Sequence, residues 1–91
     1  MAEYRDRIAT LTVNYFDSRI DEAEGEEEDY LFNEVNQDWA YAEFATEIYG
    51  NIIRKIADEG KTMDEALAEI EGDEGYLDET FRAACACAEG L

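Results

Sequence analysis

The chain has 91 residues, the length of one domain. With 46% hydrophobic and 12% aromatic residues it carries too much apolar material for an obligately disordered chain. Twenty-five Asp and Glu against seven Lys and Arg give a formal net charge of -18, which excludes direct binding to nucleic acid or to an anionic membrane and calls for a basic partner. There is no apolar run of ~18 residues and no charged-then-apolar leader, so a cytoplasmic location is expected.

No proline interrupts the chain, and Ala, Glu, Leu and Ile are abundant, which favours helices. From about Ala2 to Glu22, Tyr4, Ile8, Leu11 and Tyr15 form one helical stripe, and Ala9, Val13, Phe16 and Ile20 form a second on the opposite side. A helix with two apolar faces follows, one for the core and one for a partner or dimer mate. The alternation in TLTVNYF leaves a strand over residues 8–20 as the alternative. Residues 23–29 (AEGEEED) read as an acidic turn or linker. Helical periodicity then returns from Asp29 with Leu31, Val35, Trp39 and Ala42 on one stripe. A second stripe holds Tyr41, Phe44, Ala45, Ile48, Ile52 and Ile56. A break is placed near Asn36-Gln37 with Asp38 as N-cap, and Gly60 reads as a helix stop.

Thr62 and Glu65 have the spacing of a capping box, ahead of a stripe of Met63, Ala66, Leu67 and Ile70 that ends at Gly72. Leu77, Phe81, Ala84, Cys85 and Ala88 define a last short amphipathic helix. The expectation is an all-α single domain over residues 1–91, a small bundle of four to five helices.

Catalytic and metal chemistry find little to work with. The chain has no His, and Ser18 is its only serine, so a Ser-His-Asp triad is ruled out. No glycine sits at the sixth position of a loop with EF-hand ligands. Cys85 and Cys87 give two of the four ligands that a structural zinc needs; they read as reduced residues of an Ala-rich helix, one of them facing solvent. No catalytic residue, cofactor or metal is expected.

The acidic residues are concentrated. Between Arg19 and Arg54, 34 residues hold eleven carboxylates and no basic side chain, and the twenty between Lys61 and Arg82 hold eight more. Carboxylates four apart on a helix lie ~5–6 Å apart at Cβ, and their tips can spread to the ~7 Å expected between phosphates of one strand. Glu43 with Glu47, Asp17 with Asp21, Glu34 with Asp38, Glu65 with Glu69 and Glu74 with Asp78 have that spacing. The candidate phosphate-mimicking residues fall in three sets. The first is the run Asp21, Glu22, Glu24, Glu26, Glu27, Glu28 and Asp29. The second is the row Glu34, Asp38, Glu43 and Glu47, and the third is the cluster Asp64, Glu65, Glu69, Glu71, Asp73, Glu74, Asp78 and Glu79.

In size, charge and inferred helical make-up the chain resembles the small acidic DNA-mimic inhibitors encoded by phages, the anti-restriction and anti-CRISPR proteins. The resemblance implies a stoichiometric, non-catalytic inhibitor in the host cytoplasm that blocks the DNA site of a CRISPR effector or restriction enzyme. It carries over no individual residue. Two other readings stand beside it: an acidic adaptor that docks on a basic protein with Tyr30, Phe32, Trp39 and Tyr41 as aromatic anchors, and a halophilic domain whose charge is a solvated shell.

Overall fold

The computed structural model describes residues 2–89, with side chains from Tyr4 onward. It is all-α. The helices are α1 (Ala2–Glu22), α2 (Glu26–Asp29), α3 (Gln37–Glu59), α4 (Met63–Glu71) and α5 (Glu74–Cys87), and a π-helical turn over Tyr30–Glu34 continues α2. No strand is present among the described residues. An isolated bridge pairs Val35 with Glu89, and Asn36 N–H donates to the Ala88 carbonyl at 3.0 Å, tying the α2–α3 connection to the end of α5.

Aromatic residues form the centre. Phe16 of α1 meets Tyr41 and Phe44 of α3 and Phe81 of α5 edge-on, with centroids 4.4, 5.4 and 4.8 Å away. Tyr15 stacks on Phe44 at 5.6 Å. Edge-on and offset rings are the favourable arrangements for their quadrupoles, and they lock three helices at one point. Around them Ile48, Ile52, Leu67, Ile70 and Cys85 are fully buried. Ala66, Leu67 and Ile70 bring α4 into the core, and its N-terminus carries the full capping box of Thr62 and Glu65. Gly60 ends α3 at φ 67°, a left-handed conformation that glycine adopts without Cβ strain.

Five expectations are corrected. TLTVNYF lies inside α1, so the strand alternative falls: 21 consecutive helical residues bury Ile8, Thr12 and Phe16 on one side. The two apolar stripes of α1 are one wide face with a remainder, since Phe16 joins the core whereas Ala9 and Val13 stay exposed. Residues 26–29 are helical instead of linker, entered through Gly25 at φ 63°. The N-cap of α3 is Asn36, whose side chain accepts from Trp39 N–H at 3.1 Å; Asp38 lies inside the first turn. The break at Val35-Asn36 also separates Glu34 from Asp38, which therefore do not sit on consecutive turns of one helix.

Candidate partner-binding surface

The acidic residues divide by what they are bonded to. Six of the seven basic side chains are in ion pairs. Arg7 holds Asp64 and Glu71, each at 3.1 Å, and Arg19 holds Asp78 and Glu27. Lys55 and Lys61 converge on Glu69 and Glu59. Arg82 reaches Asp78 at 3.0 Å and Arg54 reaches Glu47 at 3.6 Å. Two more carboxylates serve as helix caps: Glu65 in the capping box, and Asp73, which accepts from Tyr76 N–H at 3.1 Å.

These contacts shift the titration of their members. The hydrogen bond from Arg19 holds the Asp78 carboxyl below its usual range, and Lys61 and Lys55 do the same to Glu69. The Thr62 backbone N–H lowers Glu65. Half of the 64–79 cluster, Asp64, Glu69, Glu71 and Asp78, is therefore engaged in holding α4 and α5 to α1 and α3; Glu65 and Asp73 cap their own helices, and Glu74 and Glu79 lie outside those contacts.

The stretch from α1 to the start of α3 differs. Asp21, Glu22, Glu24, Glu26 and Glu28 are exposed and belong to no ion pair among the described residues. Asp29 accepts a hydrogen bond from Asn33, and Glu27 alone of the run meets a cation. Glu34, Asp38 and the half-buried Glu43 are likewise outside ion pairs. Among the spaced pairs, Asp17 with Asp21 on α1 and Glu43 with Glu47 on α3 remain on consecutive turns, Glu47 being paired with Arg54; Glu65–Glu69 and Glu74–Asp78 do so with Glu65, Glu69 and Asp78 already engaged. Glu43 and Glu47 face Glu79 across a groove of about 400 Å³ between α3 and α5, where the Tyr76 hydroxyl is buried without a hydrogen-bond partner.

The large aromatic side chains of Phe32 and Trp39 lie on the surface, Trp39 where helical periodicity placed core. Trp39 is 50% exposed and Phe32 56%. The break after the π turn is the reason: Leu31 and Val35 are buried, but the two extended residues Val35 and Asn36 restart the helical phase, so Trp39 falls outside the stripe that Leu31 and Val35 begin. The break near Asn36-Gln37 was legible in the sequence, whereas the π turn before it was not. Tyr30 and Tyr41 are half-buried, with ionisation pushed up by burial, helped by Glu89 at Tyr30 and by Asp17 and Asp38 at Tyr41.

Among the described residues no group of three potential metal ligands comes together, and no helix is long and apolar enough to cross a membrane. No family model, curated protein or solved structure matches the chain.

Proposed function

We propose that the chain is a non-catalytic inhibitor that presents carboxylates where a basic protein normally holds nucleic-acid phosphates. Its target would be a host defence nuclease of CRISPR-effector or restriction type. The observation that carries this reading is the run of exposed carboxylates from Asp21 to Glu28, all but Glu27 outside ion pairs, on a body whose cations are spent elsewhere. Charge density agrees. Over a length of 42 Å, a net charge of -18 is about one charge per 2.3 Å (42 divided by 18), against one per ~1.7 Å of duplex DNA. An ordinary small domain carries a net charge of only ~2–8 in magnitude. A basic groove would meet a fixed polyanion already folded, and steered encounter would be fast.

The test is a tagged pull-down from nuclease-treated bacterial lysate at ~0.15 M salt. Recovery of a nuclease or its DNA-binding subunit, displaced by added duplex, is the expected result. The quadruple reversal Glu22→Lys, Glu24→Lys, Glu26→Lys and Glu28→Lys should abolish inhibition of that nuclease while leaving the helical spectrum intact. Unchanged inhibition would sink the proposal.

The exposed Phe32 and Trp39 favour a second reading, an adaptor whose aromatic anchors dock on a basic protein lacking a nucleic-acid site. Recovery of such a protein, not displaced by duplex, would select it.

A further inference from the structure

Helices α3 and α5 leave an open groove along their junction. Asn36 N–H donates to the Ala88 carbonyl, which sets the start of α3 beside the end of α5, so the two helices run antiparallel. The groove has a volume of about 400 Å³, within the ~300–1,000 Å³ of small-molecule sites. Ala83 and Ala84 give it an apolar wall, and three carboxylates border it, Glu43 and Glu47 from α3 and Glu79 from α5. Because the helices are antiparallel, Glu43 lies toward the Ala83 end and Glu47 toward the Tyr76 end.

These carboxylates are spread along the groove. Among the described residues no three potential metal ligands come together, so a compact ion finds no cage here. An extended cation does better. Glu43 and Glu47 are one helical turn apart, ~5–6 Å at Cβ. Nitrogens joined by three or four methylenes are also ~5–6 Å apart in an extended chain, at ~1.5 Å per bond. Glu43 and Glu79 belong to no ion pair among the described residues. The exposed Arg54 reaches Glu47 only at 3.6 Å, a surface contact that is readily displaced. Methylenes laid on Ala83 and Ala84, with ammonium groups at the carboxylates, satisfy the wall and the rim together.

The Tyr76 hydroxyl points to a ligand independently of the charge. Tyr76 lines the groove, and its hydroxyl is screened from solvent without a hydrogen-bond partner. A buried hydroxyl left unpaired is costly, and folded proteins keep few of them. A phenol oxygen accepts as well as donates, and an ammonium has three N–H donors and no acceptor. An ammonium held between Glu47 and Glu79 supplies the donor that neither helix provides.

We infer that the α3/α5 groove binds a linear polyamine, a methylene chain that carries several protonated amines. The lysine side chain of a protein shares the chemistry but brings a single ammonium, whereas three carboxylates border the groove and call for several amines on one chain. No residue of the Asp21–Glu28 run lines the groove. The inference therefore does not rest on the nuclease reading, and its test needs no nuclease.

Isothermal titration calorimetry of the full chain with spermidine at ~0.15 M NaCl tests this. A net charge of -18 attracts any polycation, so the same charge is removed at two different places. One saturable site per chain is expected. Glu79→Gln should weaken it roughly tenfold, the loss of one charge-assisted hydrogen bond. Glu24→Gln, which removes a charge from the acidic run, should change it by less than about twofold at this screening. Ala83→Leu, which fills the apolar wall, should also weaken binding. Ala86→Leu, exposed on the same helix outside the groove, should not. Tyr76→Phe should weaken binding yet leave the thermal midpoint of the free protein unchanged or higher, because the deleted hydroxyl had no partner to lose. Hexaamminecobalt(III), a compact trivalent cation, should not displace spermidine at equal concentration. Circular dichroism confirms that each variant is folded. Absence of a saturable site, equal losses with Glu24→Gln and Glu79→Gln, or displacement by the cobalt complex would each overturn the inference. So would a Tyr76→Phe protein that binds as tightly as wild type or melts lower without ligand. Tighter binding of tri-lysine than of spermidine would overturn it in favour of lysine side chains on a basic protein.

Discussion

Arg19 joins the two kinds of chemistry in this molecule. Its guanidinium lies 4.7 Å from the centroid of Phe81 and bonds Asp78 and Tyr15, with Glu27 at 3.5 Å, while its side chain is 21% exposed. A planar cation with several donors can serve ring and carboxylate together, and a lysine ammonium cannot. Arg19→Met should cost about 1–3 kcal/mol in denaturant unfolding, between a surface pair and a buried one, and Arg19→Lys should recover little of it. Full recovery by lysine would show that charge alone matters there.

The two thiols differ as strongly. Burial pushes Cys85 up to about 11, while Cys87 is exposed. A thiol reagent near pH 8 should modify Cys87 in the native protein and Cys85 only after unfolding; equal native rates would contradict the buried placement. Because the folded-state value of Cys85 is raised, its contribution to stability is complete below the unfolded thiol's ordinary value. It is lost as pH rises toward about 11. Tyr30 and Tyr41 are raised as well and act in the same direction. The thermal midpoint should fall once pH passes ~9.

Among the elements, the corner between α3 and α4 is the most fully specified by local chemistry. Gly60 takes the left-handed conformation that closes α3, and Thr62 and Glu65 exchange hydrogen bonds at 3.2 and 3.0 Å to open α4. Thr62→Ala should cost ~1 kcal/mol with an unchanged denaturant slope, and Thr62→Ser almost nothing. An alanine as stable as wild type would mean that packing of Leu67 and Ile70 alone holds the helix. The opposite corner was far less legible. Nothing in DYLFNEVNQDW announces a π turn, because the i to i+5 bond from Tyr30 to Val35 is enforced by contacts outside the segment. Asn36 N–H on the Ala88 carbonyl, the Val35–Glu89 bridge and the Gln37 side chain on the Leu31 carbonyl hold it from both sides.

At the scale of the whole molecule, the question is how a body of charge -18 stays folded. The aromatic cluster and the ion pairs oppose the repulsion, and salt reduces it. Between ~0.01 M and ~0.15 M the Debye length shrinks from ~30 Å to ~8 Å. The thermal midpoint should rise by ~5–10 °C over that range, about 1–2 kcal/mol for a domain of this size. The chain should remain helical even at the low end. Unfolding at ~0.01 M salt, with molar salt required to refold, would replace inhibition by adaptation to brine as the reason for the acidic shell.

The sequence alone determined the helical class, the capping box, the stop at Gly60 and the core faces of α3, α4 and α5, because each is a local or periodic property of neighbouring residues. It also determined the excess of negative charge. Tertiary structure decided which carboxylates are spent. Arg7 and Arg19 reach Asp64, Glu71 and Asp78 across more than fifty positions, so their pairing is invisible to spacing. It also decided that Trp39 and Phe32 face outward, since a stripe's periodicity shows that a helix has an apolar face but not which neighbour covers it.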